Sequence, residues 1–578
     1  MKNYSADFET STEKWEKKET WVWAYALKEI GENSETTYGN NIDDFMNFCE
    51  NSKNSCFFFH NAKFDFQFII SWLLNHGFEW IKDRKEKKTK TFTTLITEMG
   101  IYYSMEVYFE VKGKKVKKAT FKDSLKLLNF SVSTIAKNFH LKMQKLEIDY
   151  DEKREKNHEL TKLEIDYIHN DVGIVGEALD IFFKRGFKKL TIASNALENF
   201  KSGIKNFSTY FPQLEEDLHI ILKQSYKGGF CYVNKIYQEK EVGEGYVLDV
   251  NSLYSFCLRN FEYPYGKPIY YKGKFDEDKL YRLYIQRISC GFKLKKGKIP
   301  TIQIKKNIFY SGTEYLESSN GEVVNLTLTS VDLKLFLDQY DVFDLKYVDG
   351  WKFKSVKGLF NKYVDFWTKE KIEGGKEKNY AKRTIAKLFL NSLYGKFASK
   401  EVGRMKKPYL DEEGIVRYET LEEEKRDTIY IPVASFCTSY ARNITIRTSQ
   451  KIRDESLKKY GKDLYCYSDT DSIHTLITDI DFLESIVNID DFELGAWKIE
   501  NHFKRAKFIA QKCYIEDIFK NESETELKIT CAGMPKNCYE DVTWDNFKVG
   551  FVSSKKLMPK NVKGGVILHE TTFEIKAR

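Results

Sequence analysis

Short apolar runs alternate with stretches of helical period along the first third of the chain. Runs near residues 3–8, 21–27, 55–59 and 92–110 predict strands, because each is brief and bounded by polar residues. Stretches near 43–49, 65–75 and 161–184 predict helices, and Gly186 marks the end of the last one. Strands that alternate with helices predict an α/β unit over residues 1–188.

The pattern changes several times after residue 188. Residues 189–260 lead into an apolar strand at 246–250, and residues 261–358 are strand-like, with prolines and turn signals. Residues 359–398 predict a pair of helices, and the polar stretch 399–424 predicts a protruding hairpin. Residues 425–531 return to a mixed α/β pattern, and residues 532–578 predict a small β-rich cap.

Composition narrows the class of protein. A chain of 578 residues is too long for one core and predicts two to four domains, while 42% apolar residues exclude global disorder. The net charge of +8 is only mildly basic, and most of the 15% aromatic residues are expected in the core. Ten cysteines without a metal-binding pattern predict reduced, buried thiols. The longest apolar runs are too short to span a membrane.

A first set of carboxylates lies in the N-terminal third. Asp7 and Glu9 are two apart on a predicted strand, so both side chains point to one face. Asp65 opens a predicted helix, and Tyr167 and Asp171 share one face of another. Four acids from three elements can bracket two divalent cations about 3.5–4 Å apart, the arrangement of a two-metal phosphoryl site. Each fragment alone is equally well explained as a surface acid.

A second set lies in the C-terminal two-thirds. Asp249 ends an apolar strand, and Asp469 and Asp471 lie between two apolar strands, at the tip of a predicted hairpin. Such a turn is also an ordinary β-turn, so this pair alone does not define a site. A helical stripe supports the functional interpretation, because its cations suit a triphosphate and its aromatic ring suits a base pair; its members are Arg383, Lys387, Asn391 and Tyr394.

Two basic runs, 82–90 and 112–118, interrupt the first unit. Solvated loops are the preferred interpretation, and contact with phosphates is the alternative.

These motifs together resemble those of family B DNA polymerases, and among them the protein-primed polymerases of small Bacillus phages, the phi29-like type. DFET at 7–10, HNAKFD at 60–65 and Tyr167 with Asp171 resemble the three motifs of proofreading exonuclease domains. LDVNSLY, the helical stripe and YSDTDS resemble polymerase motifs A, B and C. The YKGG, KFK, TSYAR, KCY and TWDNFKVG segments match as well. The gaps of 138 residues between Asp249 and Lys387 and of 82 between Lys387 and Asp469 fit the protein-primed group.

The resemblance implies an RNase H-like 3′–5′ exonuclease domain followed by a right-hand polymerase with two terminal-protein-region insertions. The implied boundaries are exonuclease 1–188, first part of the palm 189–260, first terminal-protein region 261–358, fingers 359–398, second terminal-protein region 399–424, second part of the palm 425–531 and thumb 532–578.

The resemblance also implies residue roles for synthesis. Metal binding is implied for Asp249, Val250, Asp469 and Asp471. The residues implied in nucleotide binding are Tyr254, Lys371, Arg383, Lys387, Asn391, Tyr394, Lys512 and Tyr514, with Tyr254 excluding ribonucleotides. The family commonly has Lys where Arg383 stands and Pro where Ser255 stands, and the second change predicts a looser turn around Tyr254.

For degradation, the resemblance implies metal binding by Asp7, Glu9, Asp65 and Asp171, with Tyr167 and Lys145 in catalytic roles. The residues implied in DNA binding are Thr10, His60, Asn61, Phe64, Ser124, Leu125, Tyr150, Tyr226, Gly228, Gly229, Thr438 and Arg442. Of these, Tyr226, Gly228 and Gly229 would pass the primer end between the two sites, and His60 considered alone is more often structural.

The implied cofactor is Mg²⁺, two ions per site, with Mn²⁺ as a substitute. The implied partners are template and primer DNA, dNTPs and a terminal protein held as a heterodimer, in the cytoplasm of an infected bacterial host. Two alternatives remain: a family B polymerase that extends ordinary primers without a priming protein, and a nucleic-acid-binding packaging or scaffolding protein with degenerate sites.

Overall fold

The computed structural model describes residues 2–31, 34–304 and 314–576. The parts of the predicted 1–188, 261–358 and 532–578 segments that fall on residues 1, 32–33, 305–313 and 577–578 therefore lie outside the described residues. The N-terminal elements are β1 (Asn3–Thr10), β2 (Val22–Glu29), β3 (Thr37–Gly39), α1 (Ile42–Asn51), β4 (Cys56–Phe59), α2 (Asp65–Asn75), β5 (Glu79–Trp80), β6 (Thr91–Ile96), β7 (Tyr102–Lys112), β8 (Lys115–Asp123), α3 (Leu125–Leu128), α4 (Val132–Phe139) and α5 (Lys162–Lys184), with a 3₁₀ turn at Arg84–Glu86.

The N-terminal strands form one mixed sheet in the order β3-β2-β1-β4-β8-β7-β6-β5. The predicted strands and helices are confirmed, except that the stretch 92–110 forms β6 and β7, because Gly100 takes φ +70° in the turn between them. A capping box of Thr161 and Glu164 starts α5, and Gly186, with φ +83°, follows its end.

The middle of the chain holds α6 (Ile192–Ser202), α7 (Phe207–Tyr210), α8 (Glu216–Lys223), β9 (Cys231–Val233), β10 (Glu241–Val242), β11 (Gly245–Val250), α9 (Leu253–Asn260), β12 (Glu262–Lys272), β13 (Leu283–Leu294), β14 (Val324–Thr329), α10 (Ser330–Gln339), β15 (Tyr340–Lys357), α11 (Asn361–Lys376) and α12 (Tyr380–Phe397). Within 261–358, β12-β15-β13-β14 form a four-stranded sheet. Residues of β13, β14 and α10 form a small core, while Ile285 and Phe353 of the same sheet belong to the large core. The predicted helical pair is α11 and α12.

The last part holds β16 (Val402–Gly403), β17 (Lys406–Leu410), β18 (Val416–Thr420), β19 (Glu424–Lys425), α13 (Ile431–Tyr460), β20 (Tyr465–Asp469), β21 (Ser472–Thr475), α14 (Ile480–Ile486), β22 (Trp497–Ala510), β23 (Cys513–Phe519), β24 (Thr525–Cys531), a 3₁₀ turn (Lys536–Asp541), β25 (Val552–Val562) and β26 (Gly565–Glu574). A second large sheet runs β24-β23-β22-β11-β21-β20-β9, with β10 paired to β22. In this sheet β11 lies between β21 and β22, two strands that come more than 200 residues after it in the chain.

The predicted protruding hairpin at 399–424 forms as β17–β18, but it folds back against the N-terminal unit. Val416 is fully buried in the core that lies under the first sheet. Tyr418 donates a hydrogen bond from its hydroxyl to Gln67 Oε1 in α2 at 2.6 Å. Burial of these apolar groups outweighs the polar character of the surrounding sequence.

One hydrophobic core joins the two large sheets. Ile174 and Phe182 of α5 belong to the same buried cluster as Phe389 and Leu393 of α12. Phe187 bridges them, with its ring 4.5 Å from that of Phe389. The N-terminal unit is therefore fixed relative to the helical pair by continuous apolar packing.

All ten cysteines are buried thiols, in agreement with the prediction, and the Cys513 and Cys531 sulfurs contact each other at 3.6 Å. Among the residues that the structure describes, none of the helices combines the length and apolar character that crossing a bilayer requires.

Candidate active sites

The first acid cluster lies where β1, α2 and α5 meet. Asp7 and Glu9 project from one face of β1, and Asp171 reaches them from α5. One ligand oxygen from each of these three lies within 4.8 Å of the others. Asp65 is the buried first residue of α2 and is close enough to Asp7 for their charges to interact. The predicted set of four acids is therefore brought together.

Like charges and burial dominate the electrostatics of this cluster. Burial and the neighbouring Asp171 raise the pKa of Asp7 to about 7. Burial, and then Asp7, raise the pKa of Glu9 and of Asp65 well above the usual carboxyl range. Asp171 Oδ1 is buried and has no hydrogen-bond partner among the residues that the structure describes. A buried carboxylate oxygen without a partner, in a cluster of mutually repelling acids, fits a site for divalent cations.

A lysine and two tyrosines close one side of the cluster. Lys145 forms an ion pair with Asp171, and its ammonium donates to the Tyr167 hydroxyl at 3.1 Å. The Tyr167 and Tyr150 hydroxyls lie 2.5 Å apart. Although burial opposes it, the Asp171 carboxylate raises the pKa of Lys145. The ammonium thus supplies a fixed positive charge beside the acids, in the position expected of a catalytic lysine.

An open cavity of 280 Å³ lies over the acids, and its lining includes the predicted strand-binding residues Thr10, His60, Asn61, Phe64 and Tyr150. The same cavity is lined by Val566, Ile567 and Leu568 from β26. The sequence analysis missed these three residues, because they are about 500 positions away and only the tertiary fold places them here.

His60 lies at the edge of this cavity but is already engaged by the protein. Its Nε2 lies 2.6 Å from the Phe130 carbonyl oxygen, and its Nδ1 lies 2.9 Å from Ser124 Oγ. Ser124 is buried and is followed by half-buried Leu125 at the start of α3. His60 and Ser124 thus fix the cavity wall, and DNA contact by His60, Ser124 and Leu125 stays a prediction.

The second acid cluster lies at the end of β11 and the tip of the β20–β21 hairpin. Asp249 lies opposite Ser472 in the antiparallel ladder. The Val250 amide donates to the Asp471 carbonyl at 2.8 Å, which locks the tip against β11. Between the two acids of the tip, Thr470 takes φ +64°, the left-handed geometry of a tight hairpin turn. The predicted hairpin with carboxylates at its tip is confirmed.

The acids of this second cluster differ in their surroundings. Burial, and then Asp249, raise the pKa of Asp471 to about 6. Burial also raises the pKa of Asp249, and the Lys498 ammonium opposes that rise. Asp469 is instead paired with Lys512, whose Nζ lies 2.6 Å from Asp469 Oδ1. Asp249 and Asp471 are therefore the acids best suited to hold a divalent cation, with Asp469 in a supporting position.

The helical stripe of α12 lies beside these acids, close enough for the Lys387 charge to act on Asp249. Arg383, Lys387 and Asn391 are exposed there. Lys371 of α11 lies near these side chains. Burial lowers the pKa of its ammonium, and the positive charge of the neighbouring Lys387 lowers it further. Such a convergence of cations is typical of a triphosphate site.

Two tyrosines lie at the inner end of the stripe. The rings of Tyr254 and Tyr394 stack with centroids 3.9 Å apart and planes at 18°. Burial raises the pKa of Tyr394 to about 12, and the neighbouring Tyr226 adds to the rise. Ser255 donates from Oγ to the Leu390 carbonyl in α12 at 3.0 Å. This bond ties the Tyr254 helix to α12, and the looser turn expected from Ser255 stays a prediction.

The Tyr226–Gly229 loop is held from two sides. A Cβ on Gly229 would lie 2.6 Å from Thr470 Cγ2, and the Thr470 amide donates to the Phe230 carbonyl at 2.6 Å. Arg442 donates to the carbonyls of Lys227 at 2.7 Å and of Gly228 at 2.8 Å. The loop therefore contacts the acid-bearing hairpin tip through a position where only glycine fits.

Three predicted ligands of DNA or nucleotide are interior residues in this structure. Thr438 is buried in α13 and donates to the Ala434 carbonyl at 3.1 Å. Arg442 is buried and forms an ion pair with Asp332 of α10. Tyr514 is 7% exposed and packs among aromatic rings under the second sheet. The structure gives these side chains packing and positioning roles, and direct ligand contact by them stays a prediction.

The sequence analysis also missed two charged residues of β22. Lys498 lies directly opposite Asp249 in the β11–β22 ladder, and its Nζ is 3.2 Å from Asp249 Oδ1. The Glu500 carboxylate adds to the charge repulsion around Asp249 and Asp471. No local motif distinguishes these residues, and only strand pairing brings them to the site.

The second sheet carries carboxylates on adjacent antiparallel strands, beside a helix of cations. The first, mixed sheet carries its own acid cluster. This combination is typical of a nucleic-acid polymerase with a nuclease-type domain. Comparison with known proteins agrees with this class. The family model for organellar and viral type B DNA polymerases matches residues 46–159 and 147–481.

Curated relatives match the whole chain. The DNA polymerases of Bacillus phage B103 and Bacillus phage phi29 are each 42% identical to it, covering 100% of this chain and 100% and 99% of theirs. The DNA polymerase of Streptococcus phage Cp-1 is 33% identical, covering 99% of this chain and 98% of its own. A solved structure of phi29 DNA polymerase with primer-template DNA and incoming nucleotide matches with a TM-score of 0.92 at 41% identity, covering 100% of both chains.

The chain belongs to the family B DNA polymerases and, within them, to the phi29-like group. The predicted fold class, an exonuclease domain followed by a right-hand polymerase with terminal-protein-region insertions, is confirmed. The domain boundaries and the individual site roles stay predictions.

Proposed function

We propose that this DNA polymerase replicates a viral genome from a protein primer, proofreads with a 3′–5′ exonuclease and displaces the strand ahead of it. The observation that carries the proposal is the presence of two acid clusters on two different sheets, of which the first has three carboxylates close enough to share a metal ion. One cluster faces a helix of cations suited to a triphosphate. The other faces a cavity whose lining includes Phe64 and Tyr150.

For synthesis, Asp249 and Asp471 would hold two Mg²⁺ ions, for which Mn²⁺ can substitute. Bound cations would activate the attacking hydroxyl and stabilise the leaving pyrophosphate. Lys371, Arg383 and Lys387 bind and orient the triphosphate. The attacking group is a primer 3′-OH or a hydroxyl of the priming protein. The full-length similarity to phi29-like polymerases supports this assignment.

The stacked tyrosines check the incoming nucleotide. Tyr254 lies against Tyr394, so the Tyr254 ring is held in place and can crowd the 2′ position of a ribonucleotide. Tyr394 presents its ring to the nascent base pair, and Asn391 lies one helical turn away along the same stripe.

For degradation, the four acids of the first cluster would hold a second pair of cations, and Tyr167 orients the attacking water. Lys145 balances the charge that develops on the reacting phosphate, because its ammonium is fixed by Asp171 and Tyr167. Phe64 and Tyr150 line the cavity and can stack on the bases of a frayed strand without reading sequence.

The proposed partners are template and primer DNA, dNTPs and a terminal protein that forms a heterodimer with the chain. Solved phi29 polymerase structures contain primer-template DNA, incoming nucleotide or single-stranded DNA, which supports the first two. The four-stranded sheet of residues 261–358, part of which packs in a small separate core with α10, is the surface proposed for the priming protein. The proposed location is the cytoplasm of the infected bacterial host.

The test is a labelled primer–template incubated with Mg²⁺, with and without dNTPs, for three proteins. The wild-type chain should lengthen the primer with dNTPs and shorten it without them. Asp249→Ala should lose lengthening and keep shortening, and Asp7→Ala should do the reverse. Loss of both activities in either variant would contradict two independent sites.

Protein priming requires a separate assay. Purified terminal protein replaces the primer, and covalent transfer of labelled nucleotide to it is followed on a denaturing gel. Primer extension without any transfer to the protein would favour the alternative, a family B polymerase that extends ordinary primers.

A further inference from the structure

A lysine of the second sheet is paired with the principal acid of the polymerase site. Lys498 and Asp249 are directly opposed on β22 and β11, so their side chains leave the sheet on the same face. Lys498 Nζ lies 3.2 Å from Asp249 Oδ1, with side-chain exposures of 35% and 20%. The pair is set by backbone pairing in the middle of a sheet, so the ammonium is delivered to Asp249 by the fold.

Other charges restrict where this ammonium can go. The cations of Lys371, Arg383 and Lys387 crowd the same region, since the charges of Lys387, Lys498 and Arg383 all act on Lys371. Among the described residues, Asp249 is the acid with which Lys498 forms an ion pair. Repulsion by the other cations and attraction by Asp249 therefore hold Lys498 on the oxygen that a metal would use.

We propose that Lys498 is a positioning residue that competes with the divalent cation for Asp249 and so sets the metal concentration at which the polymerase site fills. Before metal binds, the ammonium neutralises Asp249 and holds its carboxylate in place. Metal binding breaks the ion pair, and the partly exposed Lys498 side chain then turns its ammonium towards solvent. The acids of the exonuclease site lie on another sheet, so Lys498 does not affect their occupancy. The inference rests on the proposed metal role of Asp249.

The test measures metal binding itself. Mn²⁺ binding is followed by electron paramagnetic resonance, without nucleotide, in a background carrying Asp7→Ala to weaken the exonuclease site. Lys498→Gln should lower the Kd for Mn²⁺ at the polymerase site up to about fivefold, the effect of removing one partly exposed ion pair. Lys498→Met should behave alike, and Lys498→Arg should keep the parent value.

Lys504→Gln is the matched control, because Lys504 is an exposed lysine of the same strand about 20 Å further along. It removes the same charge from the protein and should leave the Kd unchanged. The Mg²⁺ concentration for half-maximal nucleotide incorporation should fall with Lys498→Gln in parallel with the Kd. In a chain with the native Asp7, the Mg²⁺ dependence of primer shortening should not move.

Three results would overturn the proposal. An unchanged or raised Kd for Mn²⁺ in both neutral variants would mean that Lys498 does not compete with metal. An unchanged Kd with a raised KM for dNTP would reassign Lys498 to the triphosphate. If the parent polymerase site binds no Mn²⁺ at all, the proposed metal role of Asp249 fails, and the inference fails with it. The first two results, in contrast, overturn the role of Lys498 and leave the metal role of Asp249 standing.

Discussion

Replacing Asp7 by asparagine should stabilise the metal-free protein while removing its proposed exonuclease activity. Burial and Asp171 raise the pKa of Asp7 from 3.8 to about 7. A carboxyl whose pKa is raised on folding contributes stability that is fully present below its unfolded pKa of 3.8, declines as pH rises from there, and is gone above the folded pKa of about 7. The metal-free chain should therefore lose stability between roughly pH 4 and pH 7.

The magnitude follows from the shift. A rise of about three pKa units, at about 1.4 kcal/mol each, gives an upper limit of ~4 kcal/mol for ionising Asp7 in the folded state. Because Asp7 is partly exposed, solvent screening reduces this to about 2 kcal/mol. Asn keeps the shape of the side chain and carries no charge at any pH, so Asp7→Asn should recover this free energy at high pH and nothing at low pH.

The assay is urea unfolding followed by tryptophan fluorescence, in EDTA, at about pH 8, above the folded pKa of Asp7, and at about pH 4, near its unfolded value. Asp7→Asn should unfold at higher urea than wild type only at the higher pH. Added Mg²⁺ should shrink the gap, because the ionised wild-type cluster gains a bound cation. Asp166→Asn, on the exposed face of the same helix as Asp171, controls for a change of one charge. A variant that is no more stable at the higher pH, or equally stabilised at both, would refute the reasoning.

The remaining predictions concern the loop between the two sites. Gly229→Ala should slow nucleotide incorporation in a primer-extension assay, because the added Cβ would lie 2.6 Å from Thr470 Cγ2. Adding Thr470→Gly to this variant should restore part of the lost rate, and a double variant as slow as Gly229→Ala would contradict the steric account. Arg442→Met should lower the free energy of unfolding by about 3 kcal/mol, because it leaves the Asp332 carboxylate, which is only 11% exposed, without its cationic partner. Asp332→Asn in addition should return much of that loss in urea unfolding, and strictly additive losses would count against a buried pair.

Much of the fold was accessible from the sequence, because its signals are local. The period of apolar residues predicted the strands and helices of the first unit, the helical pair and the acid-bearing hairpin. Spacing on one helix placed Arg383, Lys387 and Asn391 on one face. Failures were of two kinds: the stretch 92–110 hid a turn inside an apolar run, and the polar hairpin at 399–424 packed against another unit instead of protruding.

The sequence by itself determined the chemical content of both sites, since the acids, the helical cations and the tyrosines lie in short segments whose spacing matches their geometry. Tertiary structure alone decided which charges act on them. Strand pairing set Lys498 against Asp249, and the final hairpin brought Leu568 to the cavity near Asp7. The tertiary structure also buried Arg442, which was expected to bind DNA, against the carbonyls of the Tyr226–Gly229 loop. Local spacing carries no information on such contacts, because pairing between distant strands and burial are properties of the whole folded chain.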